Sequence, residues 1–332
     1  MKRIVLCRVN ITAFRRWLAA AVALAACWSP ASRRGWECIA PANPGGGWDL
    51  TCRAVGAALD ELQVSPGSVR VTNMPGAGGG VAFAHTITLR AADSGLIVAA
   101  SPSTTLRLAQ RQYGRFSERD VRWVAALGAE YGVLAVARDA PFQTLGDLVA
   151  AWRADPARVI SGGGSAVAGQ DHMKILLLAQ RAGLNPRRIR YVPFDGGGEA
   201  LTALLGGFIQ LFSGEASEIE GQLEAGNVRI LAVLAPERLA GLLAHVPTAR
   251  EQGIALDWIT WRGFYVPGRI SDAAYRRWVD ALTRVAESQI WTDARDRYGL
   301  QPYFLAGAEF RVEVERQVEA FRTMSREIGL IK

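Results

Sequence analysis

The sequence contains few of the residues from which metal sites are built. Its three histidines, His85, His172 and His245, lie far apart, and none has a second ligand at the spacing of a metal site. Of its four cysteines, Cys7 and Cys27 lie in or beside the N-terminal segment. The sequence therefore predicts no metal site and no metal cofactor.

The usual signatures of nucleotide binding and of nucleophilic catalysis are also missing. There is no Gly-x-x-x-x-Gly-Lys-Ser/Thr loop, and the stretch GAGGGV from Gly76 lacks the final glycine of the dinucleotide fingerprint. Ser165 follows a glycine, but Val167 stands where a nucleophile elbow needs glycine. We therefore predict that the protein is not an enzyme and binds no cofactor. The rival hypothesis is an exported enzyme that acts on carboxylates with Asp49 or Asp171 as base.

The net charge of +7 comes mainly from one end of the chain. Residues 1–31 contain five basic residues and no acidic one, whereas basic and acidic residues are interspersed in the remainder. Interspersed charges are typical of solvated helix faces and not of a nucleic-acid surface. The charge pattern therefore predicts no nucleic-acid partner.

The N-terminal segment has the layout of an export signal. Basic residues continue to Arg16, ten apolar residues follow from Trp17 to Ala26, and small residues come next. A run of this length is too short for a membrane span, which needs about 20 residues. We predict that residues 1–31 are a signal peptide and that the mature protein is periplasmic. Cleavage would follow the SPA stretch at residues 29–31, unless the LAAC stretch is a lipoprotein box in which Cys27 is acylated.

Only Cys38 and Cys52 remain in the folded part of the chain. In an exported protein, two cysteines 14 positions apart predict a disulfide. A bond that closes a loop of this size stabilises the fold by about 3 kcal/mol. Two buried free thiols are the alternative.

Short β-rich runs alternate with helical patterns over most of the chain, which is typical of an α/β fold. The predicted strands are ECIAP, VRVTN, GLIVAAS, VRWVAAL, GVLAVA, RVISGG, IRYVPF, FIQLFSG and VRILAVLA. One predicted helix begins after Thr144, its expected N-cap, with Asp147 three residues on. From Ser271 onward the pattern changes to amphipathic helices without strands, which we expect to wrap the first lobe. We predict a discontinuous first lobe, residues 36–136 and 233–332, and an inserted second lobe, residues 137–232.

Glycine-rich turns recur between a predicted strand and the helix that follows it. The turns are PGGGWD, MPGAGGG, GGGSAVAGQD and DGGGEA, two in each predicted lobe. Such a turn leaves the first helical N–H groups unpaired and lets a ligand approach the backbone, and the helix dipole favours negative charge there. We therefore predict that the four turns meet around an anion. At any single turn, ordinary loop chemistry explains the glycines equally well.

Several segments, taken together and in order, resemble one known family. They are ECIAPANPGGGWDLTCRAV, RVTNMPGAGGGVAF, DVRWVAALGAEYGVLAV, GQDHMKILLLAQRAGLNPRRIRYVPFDGGGEALTALLGG, RILAVLAPERL, VPTAREQG and RGFYVPG. The chain is similar, from about Glu37 to its C-terminus, to the extracytoplasmic solute receptors of tripartite tricarboxylate transporters, also called Bug receptors, and within them to the citrate or tricarboxylate branch. The resemblance implies a two-lobed periplasmic-binding-protein fold of the Venus flytrap type, type II-like. Backbone amides of strand–helix loops would hold the ligand carboxylates at the interlobe cleft, partly through ordered water.

The resemblance also implies a function and partners. The protein would capture a carboxylated metabolite, citrate or another tricarboxylate, and deliver it to one large and one small membrane subunit. It would act as a monomer. A sensory receptor of the same fold is the other alternative. The tricarboxylate branch shares the Cys38 and Cys52 pair, whereas the LAAC stretch departs from relatives that are free periplasmic proteins.

Matching positions imply the following ligand contacts. Arg262 would pair with an outer carboxylate, with a salt bridge inside the protein as the alternative. The acidic residues have helix capping as an alternative role. The first lobe would contribute Gly45, Gly46, Gly47, Trp48, Asp49, Thr51, Gly76, Ala77, Ser101 and Thr104, and the second Ser165, Gln170, Asp171, Gly196, Gly197, Gly198, Glu199 and Glu215.

Overall fold

The computed structural model describes residues 35–332, in which strands and helices alternate until the last third of the chain. The predicted signal peptide and Cys27 lie outside the described residues. Within residues 35–332, no helix combines the length and the apolar character that a membrane span requires.

The described residues contain ten strands, which join in one mixed sheet of order β2-β1-β3-β9-β4-β7-β5-β6, with β8 and β10 also paired to β4. The strands are β1 (Glu37–Ala40), β2 (Arg70–Asn73), β3 (Leu96–Ala100), β4 (Val121–Ala137), β5 (Ser161–Gly163), β6 (Tyr191–Pro193), β7 (Leu211–Glu215), β8 (Val228–Val233), β9 (Ile259–Pro267) and β10 (Leu305–Ala306).

Helices cover both faces of this sheet. They are α1 (Gly47–Glu61), α2 (Gly80–Thr88), α3 (Pro102–Ala109), α4 (Leu145–Ala154), α5 (Gln170–Arg181), α6 (Gly197–Leu205), α7 (Ala216–Glu224), α8 (Asp272–Ala286), α9 (Gln289–Arg297) and α10 (Gly307–Glu327). Helix α4 begins as predicted, because Thr144 and Asp147 form a reciprocal capping box.

Strand β4 belongs to both halves of the fold. Its residues 121–131 pair with β9, and its residues 132–137 pair with β7 and β8. Strands β1, β2, β3 and β10 lie on the first side, and β5 and β6 on the second. The predicted two-lobed α/β fold is confirmed, while the exact lobe boundaries stay a prediction.

Two strand predictions were wrong in detail. The runs VRWVAAL and GVLAVA were predicted as separate strands, but β4 continues for 17 residues through both, since partners on either side take up its hydrogen bonds. Strand β9 was not predicted as a strand. Its central position beside β3 and β4 buries most of its nine residues, so it lacks the alternation that marks a strand in the sequence.

The C-terminal helices pack against the first lobe, as expected. Helix α8 contacts β4 and α1, and helix α10 contacts α3 and β4. In α10, Phe310, Val314 and Phe321 are buried at helical spacing and face the core. Helix α8 packs in the same core cluster as α1, whereas α10 packs in the cluster on the opposite face of the sheet.

Candidate functional site

A cleft of about 480 Å³ lies where a glycine turn of each lobe meets the strands that join the lobes. This volume lies within the usual range for small-ligand sites, about 300–1,000 Å³. The predicted residues that line it are Gly45, Gly46, Gly47, Thr51, Gly196, Gly197 and Arg262. The remaining lining residues are Leu50, Ala54, Glu130, Ser217, Glu218, Glu220, Trp291, Arg297, Tyr298, Gly299 and Leu300.

The turn before α1 is held by Asp49 and by a disulfide. The Asp49 carboxylate accepts hydrogen bonds from the Gly45 N–H at 2.9 Å, from Arg53 at 2.9 Å and from Asn73 at 2.8 Å. The bond from Arg53, together with those from Gly45 and Asn73, lowers the pKa of Asp49 to about 2 although burial opposes the shift. The predicted Cys38–Cys52 disulfide is present and ties β1 to α1 on either side of the turn. Asp49 therefore acts on the turn itself.

Gly47 lies close to the Arg262 guanidinium group. A Cβ atom there would lie 2.8 Å from Nη1 of Arg262. Helix α1 begins at Gly47, and its N-cap residue Gly46 supplies no side-chain cap. The first N–H groups of α1 therefore stand beside the guanidinium group at the wall of the cleft.

The turn before α6 forms the second wall. Its N-cap, Gly196, supplies no side-chain cap, and a Cβ on Gly197 would lie 2.5 Å from Cδ of Glu218. Behind this turn, a Cβ on Gly164 would lie 2.5 Å from the Gly197 backbone nitrogen. The GGGSAVAGQD turn thus supports the DGGGEA turn, backbone against backbone.

Arg262 forms an ion pair within the protein. It extends from β9, is mostly buried, and pairs with Glu130 of β4, which also accepts a hydrogen bond from Ser217. Burial would lower the pKa of Arg262, but Glu130 raises it above its ordinary value. The structure thus places Arg262 at the cleft, with Glu130 as its partner.

A second buried ion cluster lies behind the cleft, on the second-lobe side of β4. Lys174 of α5 is fully buried, and its Nζ lies 2.9 Å from Asp171, 2.9 Å from Glu215 and 2.7 Å from the Gly214 carbonyl oxygen. Burial would lower the pKa of Lys174, but the two carboxylates raise it. Asp171 and Glu215 therefore bind the lysine.

Glu218 adds a further acid to this region. Its carboxylate accepts the Glu215 N–H at 2.9 Å, beside the α6 turn. Burial and, after it, the charge of Asp171 raise the pKa of Glu218 to about 7, although the bond from Glu215 opposes the shift. The cleft wall thus includes a carboxyl group that gains or loses a proton near neutral pH.

Most other predicted contacts have identifiable roles away from this cleft. Ser101 and Thr104 form a capping box at α3. Ser165 accepts the Asp171 N–H at 2.9 Å, and Glu199 accepts the Asp195 N–H at 3.3 Å. The predicted residues that do not line the cleft are Trp48, Asp49, Gly76, Ala77, Ser101, Thr104, Ser165, Gln170, Asp171, Gly198, Glu199 and Glu215.

Sequence reasoning did not single out Glu130, Glu218 or Lys174. The two glutamates carry no motif, since they enter the site only through strand pairing and helix packing. Lys174 had a signal: the chain has three lysines, and this one stands in the apolar run MKILLL of a predicted helix. A lysine at such a position is rarely buried without carboxylate partners.

Two lobes that share strands and enclose a cleft define a solute-binding protein of the periplasmic type. The chain belongs to the tripartite tricarboxylate transporter receptor family, whose TctC family model matches residues 57–330. Proteins of this family are binding receptors and not enzymes.

Named relatives agree with this assignment. BugT of Bordetella pertussis is 28% identical over 65% of this chain and 65% of its own. MatC of Rhodopseudomonas palustris, solved with bound malate, has a TM-score of 0.73 at 20% identity, covering 87% of this chain and 98% of its own. Another R. palustris protein, solved with adipate, has a TM-score of 0.76 at 22% identity, covering 91% and 98%. At these identities the two structures establish the fold alone.

Proposed function

We propose that the protein captures a small organic acid between its lobes and delivers it to the membrane subunits of a tripartite transporter. The observation that carries this proposal is the cleft, in which uncapped helix N-termini from both lobes, at Gly46 and Gly196, lie on opposite walls. Backbone N–H groups at helix N-termini bind carboxylates without a cluster of basic side chains.

Charge favours a dicarboxylate over citrate. The cleft is lined by three carboxyl groups, Glu130, Glu218 and Glu220, and by two guanidinium groups, Arg262 and Arg297. With all five groups ionised, the lining has one more negative than positive charge, and this excess repels a trivalent anion more strongly than a divalent one. The malate and adipate found in the two R. palustris proteins are dicarboxylates, which supports the same ligand class. Citrate, expected from the resemblance, is the competing ligand.

Contact with both lobes would couple capture to closure. A ligand that touches only one lobe has no differential affinity for the closed form, whereas a ligand bound by both turns stabilises it. The closed receptor would then present a surface made of both lobes to the membrane subunits.

A thermal-shift screen followed by calorimetry tests the ligand class. The panel contains malate, succinate, adipate and citrate, with succinamide as an uncharged control. We expect the dicarboxylates to raise the melting temperature, citrate to act more weakly and succinamide not at all. Recovery of the bound acid unchanged after incubation is expected of a receptor and would exclude the enzyme alternative. A panel in which no acid binds would contradict the proposal.

Cell location is tested by the mature N-terminus. We propose export to the periplasm, with residues 1–31 removed. Intact mass of the protein from a periplasmic extract should correspond to a chain that begins after Ala31. A lipid-modified chain that begins at Cys27 and partitions into membranes would show the anchored form.

A further inference from the structure

Arg107 of α3 is a partly buried guanidinium group that faces no carboxylate. Its Nε is buried and has no hydrogen-bond partner, and its Nη1 donates to the Gln112 side chain. Burial lowers the pKa of Arg107, opposed only by Tyr113. Within residues 35–332, Arg107 has no acidic partner within 4.0 Å.

Two other buried cations of the described residues, unlike Arg107, have acidic partners. Arg262 is paired with Glu130, and Lys174 with Asp171 and Glu215. A buried cation without a counter-ion is costly, because the group has lost water and gained nothing in exchange.

Arg107 lies beside one of the glycine turns that the sequence predicts to hold an anion. A Cβ on Gly78 would lie 3.2 Å from Nε of Arg107, and one on Gly79 would lie 3.4 Å from the Trp48 ring. Gly78 and Gly79 both have positive φ, so the turn needs glycine for its shape as well as for this approach. The indole N–H of Trp48 is likewise buried without a partner.

A chain of side chains connects Arg107 to the second lobe. Gln112, which accepts from Arg107, donates to Gln110 at 2.9 Å, and Gln110 donates to the Ala168 carbonyl oxygen at 2.9 Å. Ala168 adopts a positive φ of 63°. Two residues further, the side-chain oxygen of Gln170 is buried without a partner.

We propose that Arg107 is the cation that pairs with a ligand carboxylate, in a subsite between the Gly76–Gly79 turn of the first lobe and the Ala168–Gln170 turn of the second. The buried indole N–H of Trp48 supplies a further hydrogen-bond donor. This inference rests on the proposed carboxylate function and deepens it, since it moves the charge contact from Arg262, which is paired with Glu130, to a residue that carries a free charge. The ligand class it requires is an acid with at least one carboxylate that can reach the partly buried Arg107 guanidinium group.

The test compares Arg107→Gln and Arg107→Met with the control Arg111→Gln. Arg111 is exposed, lies just beyond the same helix, and its substitution changes the net charge equally. Malate and adipate are titrated into each protein by calorimetry. We expect at least a tenfold rise in Kd for both Arg107 variants and less than a twofold change for the control. Arg107→Lys, which keeps the charge, should recover part of the loss.

Melting temperatures without ligand distinguish binding from a structural role. Removal of an unpaired buried cation should leave the melting temperature unchanged or raise it, whereas loss of a structural contact would lower it. A cooperative transition shows that a variant is folded. The affinity comparison therefore uses Arg107→Gln or Arg107→Met, whichever unfolds cooperatively. A Kd within twofold of the wild type would overturn the role of Arg107 alone. Absence of binding by the wild type to either acid would overturn the proposed function as well.

Discussion

Individual carboxylates in this protein are held by other groups of the chain. Asp49 holds the α1 turn, Asp171 and Glu215 bind Lys174, and Glu130 binds Arg262. Acidic residues near glycine turns were predicted as ligand contacts, with helix capping as the alternative. An acidic residue beside a glycine turn can contact a ligand or cap a helix, and its type and position in the sequence fit both roles. Only the group that its carboxylate binds in the structure distinguishes them.

Lys174 gives the first prediction. Lys174→Met would leave Asp171 and Glu215 buried without their cation, so we expect the free energy of unfolding to fall by about 3–5 kcal/mol. The control Arg181→Met removes an exposed cation from the same helix and should change the free energy by less than about 0.5 kcal/mol. Urea titration measures both. A loss below 1 kcal/mol in Lys174→Met would show that the cluster tolerates unpaired acids.

Glu218 gives a prediction about pH. Burial raises the pKa of Glu218 from 4.5 to about 7, so the folded state binds a proton that the unfolded state has released. The stability from this group is present below pH 4.5 and is lost as the pH rises to about 7, with a slope of up to about 1.4 kcal/mol per pH unit. Glu218→Gln should flatten this decline, whereas the exposed control Glu224→Gln should keep it. Urea titrations at pH 5, 6, 7 and 8 measure the slopes; equal slopes in all three proteins would refute the assignment.

Glycine turns are the elements that build the cleft, and they differ from one another. The turns at Gly45–Gly47 and Gly196–Gly197 line it, whereas Gly164 packs against the backbone of the second turn and Gly78–Gly79 pack against Arg107 and Trp48. The sequence located each turn correctly because strand, glycine run and helix are adjacent along the chain. It did not assign their tasks, because these depend on which residue of another element lies opposite each glycine.

Neighbouring glycines of the α6 turn allow a matched test. A Cβ on Gly197 would meet the Glu218 carboxyl group, whereas a Cβ on Gly198 meets nothing within 4 Å. We expect Gly197→Ala to lose about 1–3 kcal/mol of stability and to bind malate more weakly. Gly198→Ala should match the wild type in affinity and gain up to about 1 kcal/mol, since alanine favours helix. Calorimetry and urea titration would show the contrast, and equal affinities of the two variants would argue against a ligand role for this turn.

Strand prediction succeeded or failed according to local signals. Strands β1 and β3 were found because apolar, β-branched runs stand beside clear turn residues. Strand β9, by contrast, contains Trp261, Arg262 and Gly263, a mixture with no period of two. The Glu130–Arg262 pair could not be predicted for the same reason, because it depends on the register between β4 and β9.

At the scale of the whole molecule, one continuous sheet predicts one unfolding transition. Strand β4 hydrogen-bonds to strands of both lobes, so neither lobe can lose its sheet without exposing the other. Calorimetry should show a single transition that ligand shifts as a unit, by about 2.7 kcal/mol at a ligand concentration of 100 times Kd. Two separate transitions, with only one of them shifted by malate, would contradict this coupling.

The length of β4 also restricts how the chain can change. Successive side chains of a strand point to opposite faces of the sheet. Deletion of a single residue near the middle of β4, at Ala129–Tyr131, would therefore move every later side chain of the strand to the opposite face. Val133 and Ala135 pack in the second-lobe core with the helices of that lobe, while Leu134 and Val136 face the larger core on the other side. Related chains should therefore vary freely in the loops around this strand but keep the count of residues within it, whatever solute they carry.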